Sequence, residues 1–168
     1  MARPLPVVFI GPMASGKSKV GRRVAAGLEA PFFDTDKVVA REHGAIRDIF
    51  ERQGEPAFRL LERQAVAHAL SQPAVVSLGG GAVLHPDTRS DLREASVVLL
   101  TVSPEAVAKR IGGGGRPLLA DGGIEAWQRI YAEREPIYRE LADVSFDTST
   151  RPLGEIVDDV IAWVKGTA

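Results

Sequence analysis

A three-layer α/β fold, with a central five-stranded parallel sheet flanked by helices, is what this sequence predicts. Three observations carry the prediction. Apolar, β-branched runs at 7–10, 32–33, 74–78, 97–102 and 144–146 read as buried strands. Amphipathic segments lie between them, and strands that alternate with helices form a parallel sheet covered on both faces. The first strand also runs directly into Gly11-Pro12-Met13-Ala14-Ser15-Gly16-Lys17-Ser18, which matches the phosphate-cradling pattern G-x-x-x-x-G-K-[S/T].

The helices follow in order. After the glycine loop, Val20, Val24 and Leu28 fall on one helical face. Short helices are expected at 38–42 and 46–52. A long one at 55–71 carries Phe58, Leu61, Ala65 and Ala69 on one side. Segments 86–93, 104–111, 124–141 and 153–165 read as further helices, several with proline near the first turn. The stretch 112–123 breaks the rhythm, with glycines at both ends bracketing Arg116. It reads either as an idle surface loop or, as preferred here, as a mobile lid that excludes water from a nucleotide site. In a sheet of this kind ligands bind beyond the carboxyl ends of the strands.

Composition narrows the function. Of 168 residues 45% are hydrophobic, enough for a substantial core, and a net charge of −1 speaks against a broad nucleic-acid face. The absence of cysteine excludes disulfides, zinc thiolates and thiol catalysis, and fits a reducing compartment. Met1-Ala2-Arg3-Pro4 leads straight into a strand with no signal-peptide pattern, and no apolar run approaches a membrane span. The expectation is one domain over 1–168 with a lid at about 112–123. It is expected to be cytoplasmic and monomeric, with a small-molecule substrate and neither nucleic acid nor membrane as partner.

Several constellations carry chemistry. In the glycine loop, backbone N–H groups and a helix N-terminus suit phosphates, Lys17 suits the β- and γ-phosphates, and Ser18 suits Mg²⁺. Phe33-Asp34-Thr35-Asp36 ends the second strand with two carboxylates. One would face a hydrated Mg²⁺ and the other a substrate hydroxyl; the alternative is an Asx turn with Asp36 as helix N-cap. Ser77 is a strand-end hydroxyl suited to a magnesium water. Gly79-Gly80-Gly81 either opens room for a small polar ligand or makes a turn that needs positive φ. Arg59 has Glu55 and Glu62 at i−4 and i+3, which would orient it, unless all three form a solvated face. Arg134 is ambiguous by itself. His43, His68 and His85 are scattered and suggest no metal site.

Assembled in order, these motifs resemble the shikimate kinase family. The resemblance runs from Val7 to about Trp163 and adds Ile49-Phe50, Gly54-Glu55, Phe58-Arg59, Leu78 to Val83, Arg116-Pro117-Leu118-Leu119 and Arg134-Glu135-Pro136-Ile137-Tyr138. It implies a P-loop kinase fold and ATP-dependent phosphorylation of the 3-hydroxyl of shikimate, with Mg²⁺, in the route to chorismate and aromatic amino acids. By the same resemblance Lys17, Asp36 and Arg116 are catalytic, with Asp36 as general base and Arg116 the lid arginine that reaches ATP. Gly11, Ala14, Ser15, Gly16, Lys17, Ser18, Lys19, Arg110, Arg116, Arg151 and Pro152 fall to ATP, with Arg110 and Pro152 flanking adenine. Ser18 ligates Mg²⁺ and Asp34 lies near it through water. Arg59 and Arg134 grip the shikimate carboxylate, and Glu62 orients Arg59. Asp36 also binds the hydroxyls, Gly80 and Gly81 offer backbone donors, and Phe50 and Phe58 line the ring pocket beside Pro12.

The chain departs from the family at Ala14, where glycine is usual, and at Lys19, where threonine is common. Both departures bear on nucleotide affinity. The lid is unusually rich in glycine before Arg116, and residues 147–152 form a segment one residue shorter than in some relatives. The nearest rival is another small P-loop kinase acting on gluconate or a nucleoside monophosphate. Such kinases do not combine D-T-D after the second strand with G-G-G after the third. A non-catalytic module on a decayed kinase fold would have lost the lysine, the D-T-D or the lid arginine, and all three are present.

Overall fold

The computed structural model describes residues 1–111 and 122–167. Segment 112–121 lies outside them, so the expected lid and its Arg116 do too. Five strands, β1 (Val7–Ile10), β2 (Phe32–Asp34), β3 (Val75–Ser77), β4 (Ser96–Thr101) and β5 (Val144–Asp147), form one sheet. Their order is β2-β3-β1-β4-β5 and every pairing is parallel. The helices are α1 (Lys17–Leu28), α2 (Thr35–His43), α3 (Ile46–Gln53), α4 (Glu55–Leu70), α5 (Pro86–Leu92), α6 (Pro104–Arg110), α7 (Gly123–Leu141) and α8 (Leu153–Lys165). A 3₁₀ turn spans Ala82–Leu84.

The apolar runs are explained by two cores. Val8 and Ile10 of β1, with Val76 and Val97, pack against Val66 of α4, Leu92 of α5 and Tyr138 of α7. Val7 and Phe9 point the other way, with Val75 and Val98, onto Val20 and Val24 of α1 and Ile156 and Val160 of α8. Side chains alternate along a strand, so a strand buried on both faces must be apolar throughout. Each large apolar side chain so buried contributes about 1.5–3 kcal/mol. Proline enters α4, α5 and α6 in the first turn, where its missing N–H costs no helical bond.

The topology places the site. The chain leaves β1 at the middle of the sheet, with β3 on one side and β4 on the other. A crevice opens at the carboxyl end of such a strand because its neighbours' connections diverge. The glycine loop after β1, Asp34 at the end of β2 and Ser77 at the end of β3 all reach that edge.

Candidate active site

The glycine loop is held from outside by its carbonyls. Lys17 Nζ donates to the Gly11 and Pro12 oxygens, both at 2.9 Å. Trp127 Nε1 holds the Met13 oxygen at 2.8 Å, Arg110 Nη1 the Ala14 oxygen at 2.7 Å and Thr148 Oγ1 the Ser15 oxygen at 2.7 Å. In a trans peptide the carbonyl and the following N–H point opposite ways, so pinned carbonyls turn the next amides away from these anchors. A Cβ at Gly11 would strike the Leu100 carbonyl oxygen, which explains that glycine. Ala14 sits at φ 66, in the left-handed region, at a cost of about 1–2 kcal/mol relative to glycine. Its methyl is buried with Val102, Val107 and Trp127, which offsets part of that cost.

α1 starts from Gly16 with no side-chain cap and no acidic residue in its first turn. Its first N–H groups are therefore left to an anion. Among the described residues every other α-helix carries an acidic side chain in its first turn, from Asp36 in α2 to Glu155 in α8. Among the described residues Ser15 Oγ is a buried hydroxyl without a hydrogen-bond partner. Uncapped amides, Lys17 and this hydroxyl together fit a polyphosphate.

Beside the loop, three hard oxygens gather from three elements. Ser18 Oγ of α1 donates to Asp34 Oδ2 at 2.5 Å, and Ser77 Oγ lies 3.4 Å from Ser18 Oγ. Among the described residues no three His, Cys, Asp or Glu side chains converge on a cation position. A hydroxyl, one carboxylate and nucleotide oxygens are what Mg²⁺ takes, in preference to a cage of protein ligands. The donor set fits that ion.

An Asx turn does open α2, but Asp34 makes it, so the alternative with Asp36 as N-cap does not hold. Asp34 Oδ1 accepts from the Lys37 N–H at 3.2 Å and caps α2. A carboxylate that ends a strand can meet both the hydroxyl behind it and the helix ahead. Asp36 is the second residue of α2, in its first turn, so the two carboxylates do not share an extended segment. Between them the fully buried Thr35 ties the two loops, its Oγ1 accepting from the Gly79 N–H at 3.2 Å.

None of Gly79, Gly80 and Gly81 has positive φ, so the turn explanation fails. Their role is close approach. A Cβ on Gly79 would lie 2.5 Å from Asp36 Oδ1 and 2.9 Å from Glu62 Oε2. On Gly80 it would lie 3.3 Å from Arg134 Nη1, and on Gly81 2.5 Å from both terminal nitrogens of Arg59. The triplet thus packs three expected acceptor residues against bare backbone. Gly81→Ala is expected to displace the flexible Arg59 head without unfolding the chain. It should raise KM for the acceptor about tenfold, equivalent to about 1.4 kcal/mol, and leave KM for ATP in place. Steady-state kinetics with each substrate varied checks this; an unchanged acceptor KM would contradict it.

Arg59 is no solvated charge. Its Nη1 donates to Glu62 Oε1 at 2.8 Å and its Nη2 to Glu55 Oε1 at 3.1 Å, and its carbon sits 5.3 Å over the Phe58 ring. Burial works against its charge, but Glu62 and then Glu55 outweigh that and hold the guanidinium ionised. For Glu62 burial wins. It pushes the carboxyl above its ordinary range against the pull of Arg59, and the nearby Asp36 charge adds to the rise. A carboxyl raised in the folded state binds protons more tightly there than in the unfolded chain. The stability this gives is present at low pH and is lost as pH rises through the folded-state titration. Glu62→Gln should therefore gain in Tm relative to the native protein as pH rises from acid to neutral, while its acceptor KM worsens. Melting curves across that range test the sign; a deficit in Tm that grows with pH would contradict it.

Phe50 and Phe58 meet in a tilted ring contact, centroids 5.0 Å apart, in a small core with Val39 and Ile49. Arg134 is buried on α7, 7% exposed, and its charge and hydrogen bond reach Tyr138. One cavity of about 840 Å³ is lined by Lys17, Ser18, Lys19, Asp34, Asp36, Ser77, Gly80, Arg110 and Leu153, joining the nucleotide and hydroxyl-directed residues. Arg151, just before α8, pairs with that helix, donating to Asp159 at 2.8 Å and meeting Glu155 at 3.5 Å, and Pro152 is the N-cap of α8. Trp127, Tyr138 and Thr148 went unassigned in the sequence. Only Tyr138 stood inside a recognised motif.

The family model for shikimate kinase matches residues 13–165. The chain belongs to the shikimate kinase family. It is 42% identical over 164 residues to the shikimate kinase of Corynebacterium efficiens, covering 96% of both chains. It is 45% identical over 151 residues to that of Thermobifida fusca, covering 88% of this chain and 87% of the relative. The shikimate kinase of Acinetobacter baumannii, solved in complex with shikimate, superimposes with a TM-score of 0.89 at 30% identity, covering 95% of this chain and 93% of that one. The family's reaction is ATP-dependent phosphorylation of shikimate with Mg²⁺, and this chain is such a kinase. Among the described residues no helix is long and apolar enough to cross a membrane.

Proposed function

We propose that the crevice beyond β1 aligns ATP and shikimate so that the 3-hydroxyl attacks the γ-phosphate, with Arg59 and Arg134 reading the shikimate carboxylate. The observation that carries this reading is the glycine triplet, which sets Asp36, Arg134 and Arg59 against three consecutive backbone positions. A compact ring with a carboxylate at one end and hydroxyls at the other would be matched by the arginines at one end and Asp36 at the other. Planar guanidinium groups suit a carboxylate better than ammonium groups do.

Phosphoryl transfer asks mainly for alignment and charge neutralisation. Lys17 and the N–H groups at the start of α1 hold the phosphates. Asp36 orients the hydroxyl and takes its proton as the oxygen attacks. Ser18 and Asp34 would hold Mg²⁺, which neutralises charge on the phosphate oxygens when bound. Arg110, tied to the loop and to Thr148, borders the nucleotide cavity. Arg116 is assigned to ATP from its place in the sequence alone, and so are Arg151 and Pro152. A monomer in the cytoplasm remains the expected setting.

Arg59→Ala tests the acceptor reading. Removing one arginine from a desolvated charge pair should cost about 2–5 kcal/mol in kcat/KM for shikimate, with little change in apparent ATP affinity. A shikimate analogue with its carboxylate reduced to an alcohol should be a poor substrate for the native protein and should lose far less on the same substitution. An Arg59→Ala variant that handles shikimate normally would remove Arg59 from the site.

A further inference from the structure

Helix α7 carries one stripe of side chains at i, i+4, i+7 and i+11: Trp127, Tyr131, Arg134 and Tyr138. That spacing keeps them on a single face. Arg134 belongs to the proposed acceptor site. The three aromatics have not been given a role, although two of them are among the most buried side chains in the protein.

At one end of the stripe, the Trp127 indole N–H donates to the Met13 carbonyl of the phosphate loop at 2.8 Å. At the other, the Tyr138 hydroxyl donates to the Gly80 carbonyl of the acceptor loop at 2.6 Å. Tyr131 stacks between them, 5.2 Å from the Trp127 ring and 6.3 Å from the Tyr138 ring, each pair inclined by 29°. Burial pushes both phenols up to about 12, so each remains a protonated donor throughout the neutral range. The two anchored residues are eleven positions apart, which a helix turns into about 16 Å of fixed axial separation. The other pins on the phosphate loop come from Lys17, Arg110 and Thr148, none of which lies on the helix that bears Arg134.

We propose that Trp127 and Tyr138 are positioning residues, which hold the Met13 and Gly80 carbonyls from opposite ends of one aromatic stripe and so set the distance between the phosphate loop and the acceptor loop. The inference rests on the reading of the Gly80 loop as the shikimate side of the site. Neither side chain lines the crevice cavity, and the Tyr138 hydroxyl, which also shares a hydrogen bond with Arg134, reaches the acceptor side only through its neighbours. Their product is the separation between the γ-phosphate and the attacking hydroxyl, and a small error there slows transfer while each substrate still binds.

The test is a double-variant cycle on the full chain. Tyr138→Phe removes one hydroxyl and keeps the ring. At position 127, Trp127→Phe removes the donor; benzothienylalanine incorporated at the same position removes it while preserving the volume of the indole, in case the smaller ring disturbs packing. Each donor-free variant is expected to lower kcat at least tenfold, with both KM values within about threefold of native and a cooperative melt retained. The combined variant should lose far less than the product of the single losses, because both bonds act on one distance.

An unchanged kcat in the benzothienylalanine protein would overturn the proposal, by showing that Trp127 only packs. Losses that multiply, or that appear as a KM change for one substrate alone, would also overturn it, by showing two independent local roles. Native protein inactive on shikimate would sink the acceptor reading and this inference with it. Native protein active on shikimate, with a multiplicative cycle, would sink this inference alone.

Discussion

Lys17→Met should abolish most turnover while leaving a folded protein. The ammonium bonds to two loop carbonyls, each at 2.9 Å, so its loss removes two hydrogen bonds from a partly exposed position. Such bonds contribute about 0.5–1.5 kcal/mol each to stability. A preorganised charge aimed at developing negative charge is worth more, and removing one such donor typically costs about 10²–10³ in kcat. The two effects separate by measurement. The kcat of Lys17→Met should fall by that factor, with a Tm lowered by only a few degrees. Near-native turnover in the folded variant would contradict the placement of Lys17 on the transferring phosphate.

Asp36→Asn should be nearly as damaging, and the structure sharpens its meaning. Had Asp36 been the N-cap of α2, asparagine would replace it almost silently, because both residues cap well. Asp34 holds that position, with its carboxylate on the Lys37 N–H. In the first turn of α2, Asp36 gains a dipole contribution of about 0.3–1 kcal/mol. Asparagine keeps the shape and loses the base, so kcat should drop by about 10²–10⁴ with stability nearly intact. Thermal melts and kcat measured on the same preparation decide the matter. Lost stability with normal kcat would make Asp36 a structural residue.

Features written in consecutive residues were legible before the structure. The phosphate loop with its flanking strand and helix is one, and Arg59 with glutamates at i−4 and i+3 is another, because helix periodicity turns that spacing into contact. The glycine triplet was legible as a feature but not in its cause. Sequence shows that a Cβ is absent; only the fold shows that Asp36, Arg134 and Arg59 press on the space it would fill. The shift of the cap from Asp36 to Asp34 has a similar origin. Ending β2 at Asp34 depends on pairing with β3, a contact between distant segments.

Two clamps on the phosphate loop, Trp127 and Thr148, left no local trace. Trp127 lies 114 residues from Met13, and Thr148 lies 133 from Ser15, and each meets a backbone carbonyl that any residue type would present. No periodicity or motif encodes a side chain that reaches across the fold to a main-chain oxygen.

The central claim is that this crevice delivers phosphate from ATP to shikimate and not to the acceptors of the other small kinases that carry a phosphate loop. Coupled release of ADP, measured in parallel with shikimate, gluconate and AMP as acceptors at equal concentrations, tests it most directly. Rapid ADP release with shikimate, and only background with gluconate and AMP, is the predicted result. Comparable or faster release with gluconate or AMP would contradict the account and return Arg59 and Arg134 to unassigned charges.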